Sequence, residues 1–95
     1  MFVVLLKFSE KRGLARQFMT VHDKWIERGL ADGVFLLVGS LQPGLEGAIL
    51  AHNTELPDLE DRVDQDPFVE QGIVSTEIIE IAPATVDDRL AFLRS

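Results

Sequence analysis

The stretch that decides the fold is residues 64–73, DQDPFVEQGI. The ring of Pro67 excludes the α conformation from the residue before it, so the helix that carries Leu59 and Val63 is predicted to end at Asp66. At about 100° per residue, Asp66 still falls on the same side of that helix as Leu59 and Val63. An acid is therefore predicted to point into the core, where a carboxylate needs a partner.

The first predicted helix, from Leu14 to Ala31, offers a partner. Its apolar side chains fill one half of the helical wheel and its charged side chains fill the other, and only His22 breaks the pattern, near the middle of the apolar half. An imidazole there is either a core group satisfied by a backbone carbonyl or the partner of an acid. Asp66 has a local alternative too, because its carboxylate could bond the amides of Phe68 or Val69. Since unpaired buried charges are costly, we favour a pair between His22 and Asp66.

The remaining chain is predicted to supply four strands and a short C-terminal helix. Short apolar runs bounded by turn residues indicate strands at 2–8, 34–38, 47–52 and 73–81, with 39–44 as a loop. Asn53 or Thr54 is predicted to cap the second helix, and Thr85 opens the terminal helix with a capping-box sequence. Right-handed crossovers in the order β-α-β-β-α-β predict one α+β domain over residues 1–95. It is a ferredoxin-like antiparallel sheet with both helices on one face.

Two of the predicted strands are apolar on both faces. Residues 3–6, VVLL, and 34–38, VFLLV, do not alternate as strands of a half-exposed sheet should. The face without helices therefore needs a cover. A second copy of the sheet is the simplest one, and a C-terminal helix that folds back over the face is the alternative. We expect a homodimer packed sheet to sheet.

Composition excludes several classes of function. The chain has 95 residues, 46% of them hydrophobic, and a net charge of −7, which argues against binding to nucleic acid or an anionic membrane surface. It has no cysteine, and its apolar start lacks the basic region and cleavage site of a signal peptide and is too short to span a membrane. No metal-site spacing or glycine-rich phosphate loop is present. We expect a cytoplasmic protein without metal or cofactor.

These features together resemble the YciI-like (YCII-related) family, over nearly the whole chain up to about Ile81. The resemblance is carried by His22, by Gly33 and Gly39 around the second strand, and by the run DPF at 66–68 followed by Gly72-Ile73. It implies a dimeric α+β barrel and an active site built from a His and an Asp, here His22 and Asp66. Most of the family has no assigned reaction, and one branch resembles lyases that remove chloride from hydroxylated aromatic rings. The chain departs from the usual Gly-Pro after the second strand, since Ser40 follows Gly39.

Two functional hypotheses follow. The first is a small cofactor-independent enzyme of lyase or isomerase type, in which His22 acts as general base or acid on a compact substrate and Asp66 fixes its tautomer. The alternative is a non-catalytic module that binds a small ligand, or regulates a partner, through the same pocket. Four more residues are candidates for ligand contact: Ser40, Phe18, Trp25 and Phe68. The alternative for Ser40 is a hydroxyl that stabilises a turn, and the alternative for Phe18 and Trp25 is packing in the core.

Overall fold

The chain alternates strands and helices in the predicted order. A computed structural model describes residues 1–44 and 46–94. The strands are β1 (Phe2–Phe8), β2 (Phe35–Ser40), β3 (Gly47–Ala51) and β4 (Val74–Glu80), and the helices are α1 (Ala15–Ala31), α2 (Leu56–Asp64) and α3 (Pro67–Glu70). Short 3-10 segments occupy Arg12–Leu14 and Asp88–Arg94. Within the described ranges, no helix is long and apolar enough to cross a membrane.

The four strands form one antiparallel sheet in the order β2-β3-β1-β4. On the central strand β1, Val4 lies opposite Ile49 of β3 and Ile78 of β4. This confirms the predicted ferredoxin-like α+β fold, because β1 and β3 are neighbours and each is followed by a helical crossover to an edge strand.

The core lies between one face of this sheet and the helices. Phe2, Val4 and Leu6 of β1 are buried, while the residues between them are only partly so, which is the alternation of a strand with one covered face. Helix α1 approaches the sheet closely at Gly29, where a Cβ atom would lie 2.1 Å from a ring carbon of Phe35. The helices contribute these buried side chains to the core: Trp25, Leu59, Val63 and Phe68.

Two predicted details between β2 and α2 are wrong. β2 continues to Ser40 instead of turning after Val38, because Ser40 pairs with Gly47. Neither Asn53 nor Thr54 caps α2, which begins after Glu55 without a side-chain cap, and Asn53 adopts a left-handed conformation with φ of 56°.

The C-terminal helix also differs from its prediction. It is a 3-10 segment interrupted at Leu90, and Thr85 does not cap it. Instead Asp87 accepts a hydrogen bond from the backbone N–H of Arg89 at 2.9 Å. The ring of Phe92 contacts His52 beyond the end of β3, with the ring centroids 5.5 Å apart.

The face of the sheet opposite the helices carries an apolar row that crosses all four strands. Leu37 lies opposite Leu50, Leu50 opposite Val3, and Val3 opposite Ile79. Leu37 is 53% exposed and Ile79 is 41% exposed. The C-terminal segment therefore leaves this row accessible to solvent in the single chain.

Candidate active site

The conformation of Asp66 follows from the proline after it. Its backbone is extended, with φ of −61° and ψ of 125°, so α2 ends before it and α3 begins after it at Pro67. Its side chain caps α3, because Oδ1 accepts a hydrogen bond from the N–H of Phe68 at 3.0 Å. The residue is 0% exposed, as its position with Leu59 and Val63 on the helical wheel predicts.

The same oxygen of Asp66 binds His22. Nδ1 of His22 lies 2.7 Å from Oδ1, and the histidine is 8% exposed. The pair and the local amide bond, which are alternatives in the sequence analysis, therefore occur together. When Asp66 is ionised its oxygens only accept hydrogen bonds, so the Nδ1–H of His22 donates to Oδ1, and in the neutral form of the ring the lone pair is then on Nε2. Among the described residues, Nε2 has no hydrogen-bond partner.

Two aromatic rings hold the imidazole in place. Phe68 stacks on it almost in parallel, with ring centroids 3.9 Å apart and an angle of 3° between the planes. Trp25 stacks at 5.9 Å and 25°, and its Nε1–H donates to the carbonyl oxygen of Arg62 at 2.9 Å. Together with Asp66, these rings fix the orientation of His22.

A cavity of about 250 Å³ lies beside His22, between α1 and the sheet. Its polar lining comes from His22, Asp23 and Ser40, and most of the rest is apolar. Because Nδ1 is bonded to Asp66, Nε2 is the ring nitrogen of His22 available to a molecule in this cavity. The arrangement can give or take a proton at one fixed atom in largely apolar surroundings.

The cavity brings together three of the predicted ligand-contacting or catalytic side chains, His22, Ser40 and Phe68. Asp66 lies behind His22 and does not line it. Phe18 and Trp25 are also outside the lining. Trp25 belongs to the core and Phe18 packs against it, which is the alternative given for both in the sequence analysis. Ser40 reaches the cavity because β2 extends far enough to place it there.

Sequence reasoning missed Asp23 and Gly47, which also line the cavity. Asp23 belongs to the polar half of the α1 wheel and reads as a solvated charge. Gly47 gives no signal of its own, since its role depends on the pairing of β3 with its neighbours. Across residues 1–44 and 46–94, no group of three or more His, Cys, Asp or Glu side chains could hold a metal ion.

Comparisons with known proteins concern the fold. No family model matches the chain, and no curated protein matches it. A solved structure of 5-chloro-2-hydroxyhydroquinone dehydrochlorinase from Burkholderia phenoliruptrix, in complex with 2,5-dihydroxybenzoquinone, is similar with a TM-score of 0.71. It is 12% identical, and the match covers 84% of this chain and 91% of that one. The likeness concerns the fold alone, a four-stranded antiparallel sheet with helices on one face.

Proposed function

We propose that this chain is a small cofactor-independent, YciI-like enzyme in which His22 transfers a proton to and from a compact substrate. The observation that carries the proposal is the 2.7 Å bond from Nδ1 of His22 to the fully buried carboxylate of Asp66, at the wall of a cavity. A His-Asp pair in which the acid fixes the tautomer of the base is a recurrent device for proton transfer.

The pair suggests a simple reaction cycle. Nε2 of His22 takes a proton from an O–H or C–H bond of the substrate, and the electron pair of that bond stays on the substrate as an enolate. The imidazolium that forms is stabilised by Asp66 at 2.7 Å. In an elimination the enolate electrons then expel a leaving anion and Nε2 gives its proton to solvent, while in an isomerisation Nε2 returns the proton to a different atom. Proton transfer of this kind contributes roughly 10²- to 10⁴-fold to a rate.

The size and walls of the cavity favour a single planar ring as substrate. A volume of about 250 Å³ exceeds that of apolar cavities of about 150 Å³ that accept benzene, and leaves room for ring substituents. The dehydrochlorinase acts on a hydroxylated ring, and we extend that substrate class to this chain on the basis of the shared fold and the cavity. Ser40 would donate a hydrogen bond to a ring oxygen, and Phe68 would form part of the wall.

Hydrogen–deuterium exchange at the ring positions of 1,2,4-trihydroxybenzene tests proton transfer without requiring a leaving group. We expect the wild type to accelerate exchange, followed by NMR in deuterated buffer without oxygen, and His22→Gln to lose at least roughly 100-fold of that acceleration. His52→Gln is the matched control, because it removes the other histidine of the chain, which lies beyond β3 and outside the cavity. Equal exchange rates in the wild type and in His22→Gln would refute proton transfer by His22. Binding of the ring without any exchange would instead favour the ligand-binding module.

We also propose that the protein is a homodimer through the open sheet face. The row of Leu37, Leu50, Val3 and Ile79 is continuous across the sheet and partly exposed in the single chain. A two-fold axis through this face would cover the row on both copies with like residues.

A further inference from the structure

The charged side chains that line the cavity or lie directly behind its histidine are acidic. Asp23 lines the cavity and is exposed, and Asp66 lies directly behind His22. None of the described residues that line the cavity is a lysine or an arginine. Asp23 takes part in no ion pair among the described residues. The guanidinium of Arg12 lies over the ring of the lining residue Phe8, 4.4 Å from the ring centroid, and is not itself part of the lining.

This pattern bears on which substrates can enter. A neutral phenol or enol meets no repulsion on entry, and becomes an anion only as it gives its proton to His22, so that the imidazolium beside it offsets the new charge. A carboxylate or phosphate arrives already charged and faces Asp23 and Asp66 with no lysine or arginine in the cavity lining to bind it. The net charge of −7 on the chain opposes such an approach further.

Resting on the proposed function, we infer that Asp23 is a specificity-determining residue that restricts the site to substrates uncharged on arrival and rejects ring carboxylates. It acts from the residue next to His22 on α1, so its carboxylate is held near the cavity by a regular helix and not by a mobile loop. One charge at the wall of the cavity, partly screened by solvent, corresponds to a discrimination of roughly tenfold.

Two isosteric ligands test the inference by binding alone. Calorimetry at low ionic strength would compare 2,5-dihydroxybenzamide with 2,5-dihydroxybenzoate, which differ by one negative charge on the same ring. We expect the wild type to bind the amide at least roughly tenfold more tightly than the carboxylate. Asp23→Asn should reduce this ratio of dissociation constants, and Asp23→Lys should reduce it further or reverse the preference. Salt should narrow the wild-type ratio too, since exposed charges are screened.

Glu27→Gln provides the matched control. Glu27 is exposed on α1 one turn beyond Asp23 and does not line the cavity, so the same change of charge there should leave the ratio as in the wild type. An equal ratio in wild type and Asp23→Asn, with the amide still bound, would overturn the role of Asp23 and leave the proton-transfer proposal standing. A wild type that binds neither ring in the cavity would overturn both.

Discussion

Replacing Asp66 by alanine should lower the free energy of unfolding by about 2–4 kcal/mol, through two losses that the structure separates. The first is the cap of α3, because Oδ1 no longer accepts from the N–H of Phe68, and such a loss costs about 1 kcal/mol. The second is the partner of His22, whose buried Nδ1–H is left unpaired at a cost of about 1–3 kcal/mol. Asp66 is 0% exposed, so bulk water does not replace either hydrogen bond at this position.

Urea unfolding followed by circular dichroism measures this loss, at one fixed protein concentration because a dimer would make stability depend on concentration. For a chain of this size each 1 kcal/mol corresponds to a shift in Tm of roughly 4–8 °C. Asp64→Ala is the control, since Asp64 is the exposed last residue of α2 and its loss should change stability by less than about 0.5 kcal/mol. If Asp66→Ala also stays within that margin, the buried pair does not stabilise the fold and the reasoning fails.

Asp66→Asn tests a smaller change at the same position. The amide oxygen can replace Oδ1 in both bonds, but the amide nitrogen then occupies the place of Oδ2, which has no partner among the described residues. We therefore expect a loss of stability smaller than that of the alanine variant but not zero. A double-mutant cycle with His22→Ala should give a coupling energy of about 1–3 kcal/mol, and a coupling near zero would contradict the pair.

Three further changes probe other parts of the fold. Gly29→Ala should destabilise the protein by about 1–3 kcal/mol in thermal unfolding, because its Cβ would lie 2.1 Å from the ring of Phe35, and an unchanged Tm would count against that close approach. Leu37→Asp should give a monomer or an aggregating protein in sedimentation velocity, whereas an unaltered dimer would place the interface elsewhere. The Arg89 guanidinium and backbone N–H hold the pKa of the Asp87 carboxyl below its ordinary value. NMR titration should show that the Asp87 pKa is higher in Arg89→Gln than in the wild type. The lowered pKa corresponds to a small stabilisation of the folded chain by the ionised carboxylate. This stabilisation is present above the unfolded-state pKa of Asp87 and is lost as pH falls through its lower folded-state pKa.

The parts of the fold that the sequence could predict rest on local constraints. The bounds of β1 agree because an apolar run meets the turn that begins at Ser9, and Asp66 is placed by the covalent geometry of Pro67. His22 could be singled out because an amphipathic helix allows few polar side chains on its buried face. Each of these arguments needs only residues within about two turns of one another.

The parts that could not be predicted depend on distant partners. Ser40 reads as a turn residue until Gly47 is known to lie opposite it in the sheet. Asp23 reads as a solvated charge, since no local pattern shows that a cavity opens beside α1. Trp25 and Phe18 lie near His22 on the helical wheel, but which ring lines the cavity depends on the position of α3, which carries Phe68.

The stacking of Trp25 near His22 gives the protein an optical probe at its candidate site. The chain has one tryptophan and no tyrosine, so its intrinsic fluorescence at long wavelength comes from a single indole, whose centre is 5.9 Å from that of the imidazole. Because this indole is buried and outside the cavity lining, a ligand can change the charge or packing of His22 without touching the fluorophore itself. Emission intensity, recorded on the unmodified chain, can thus follow occupancy of the cavity in a stopped-flow instrument, and the red shift of the same band on denaturation reports unfolding separately.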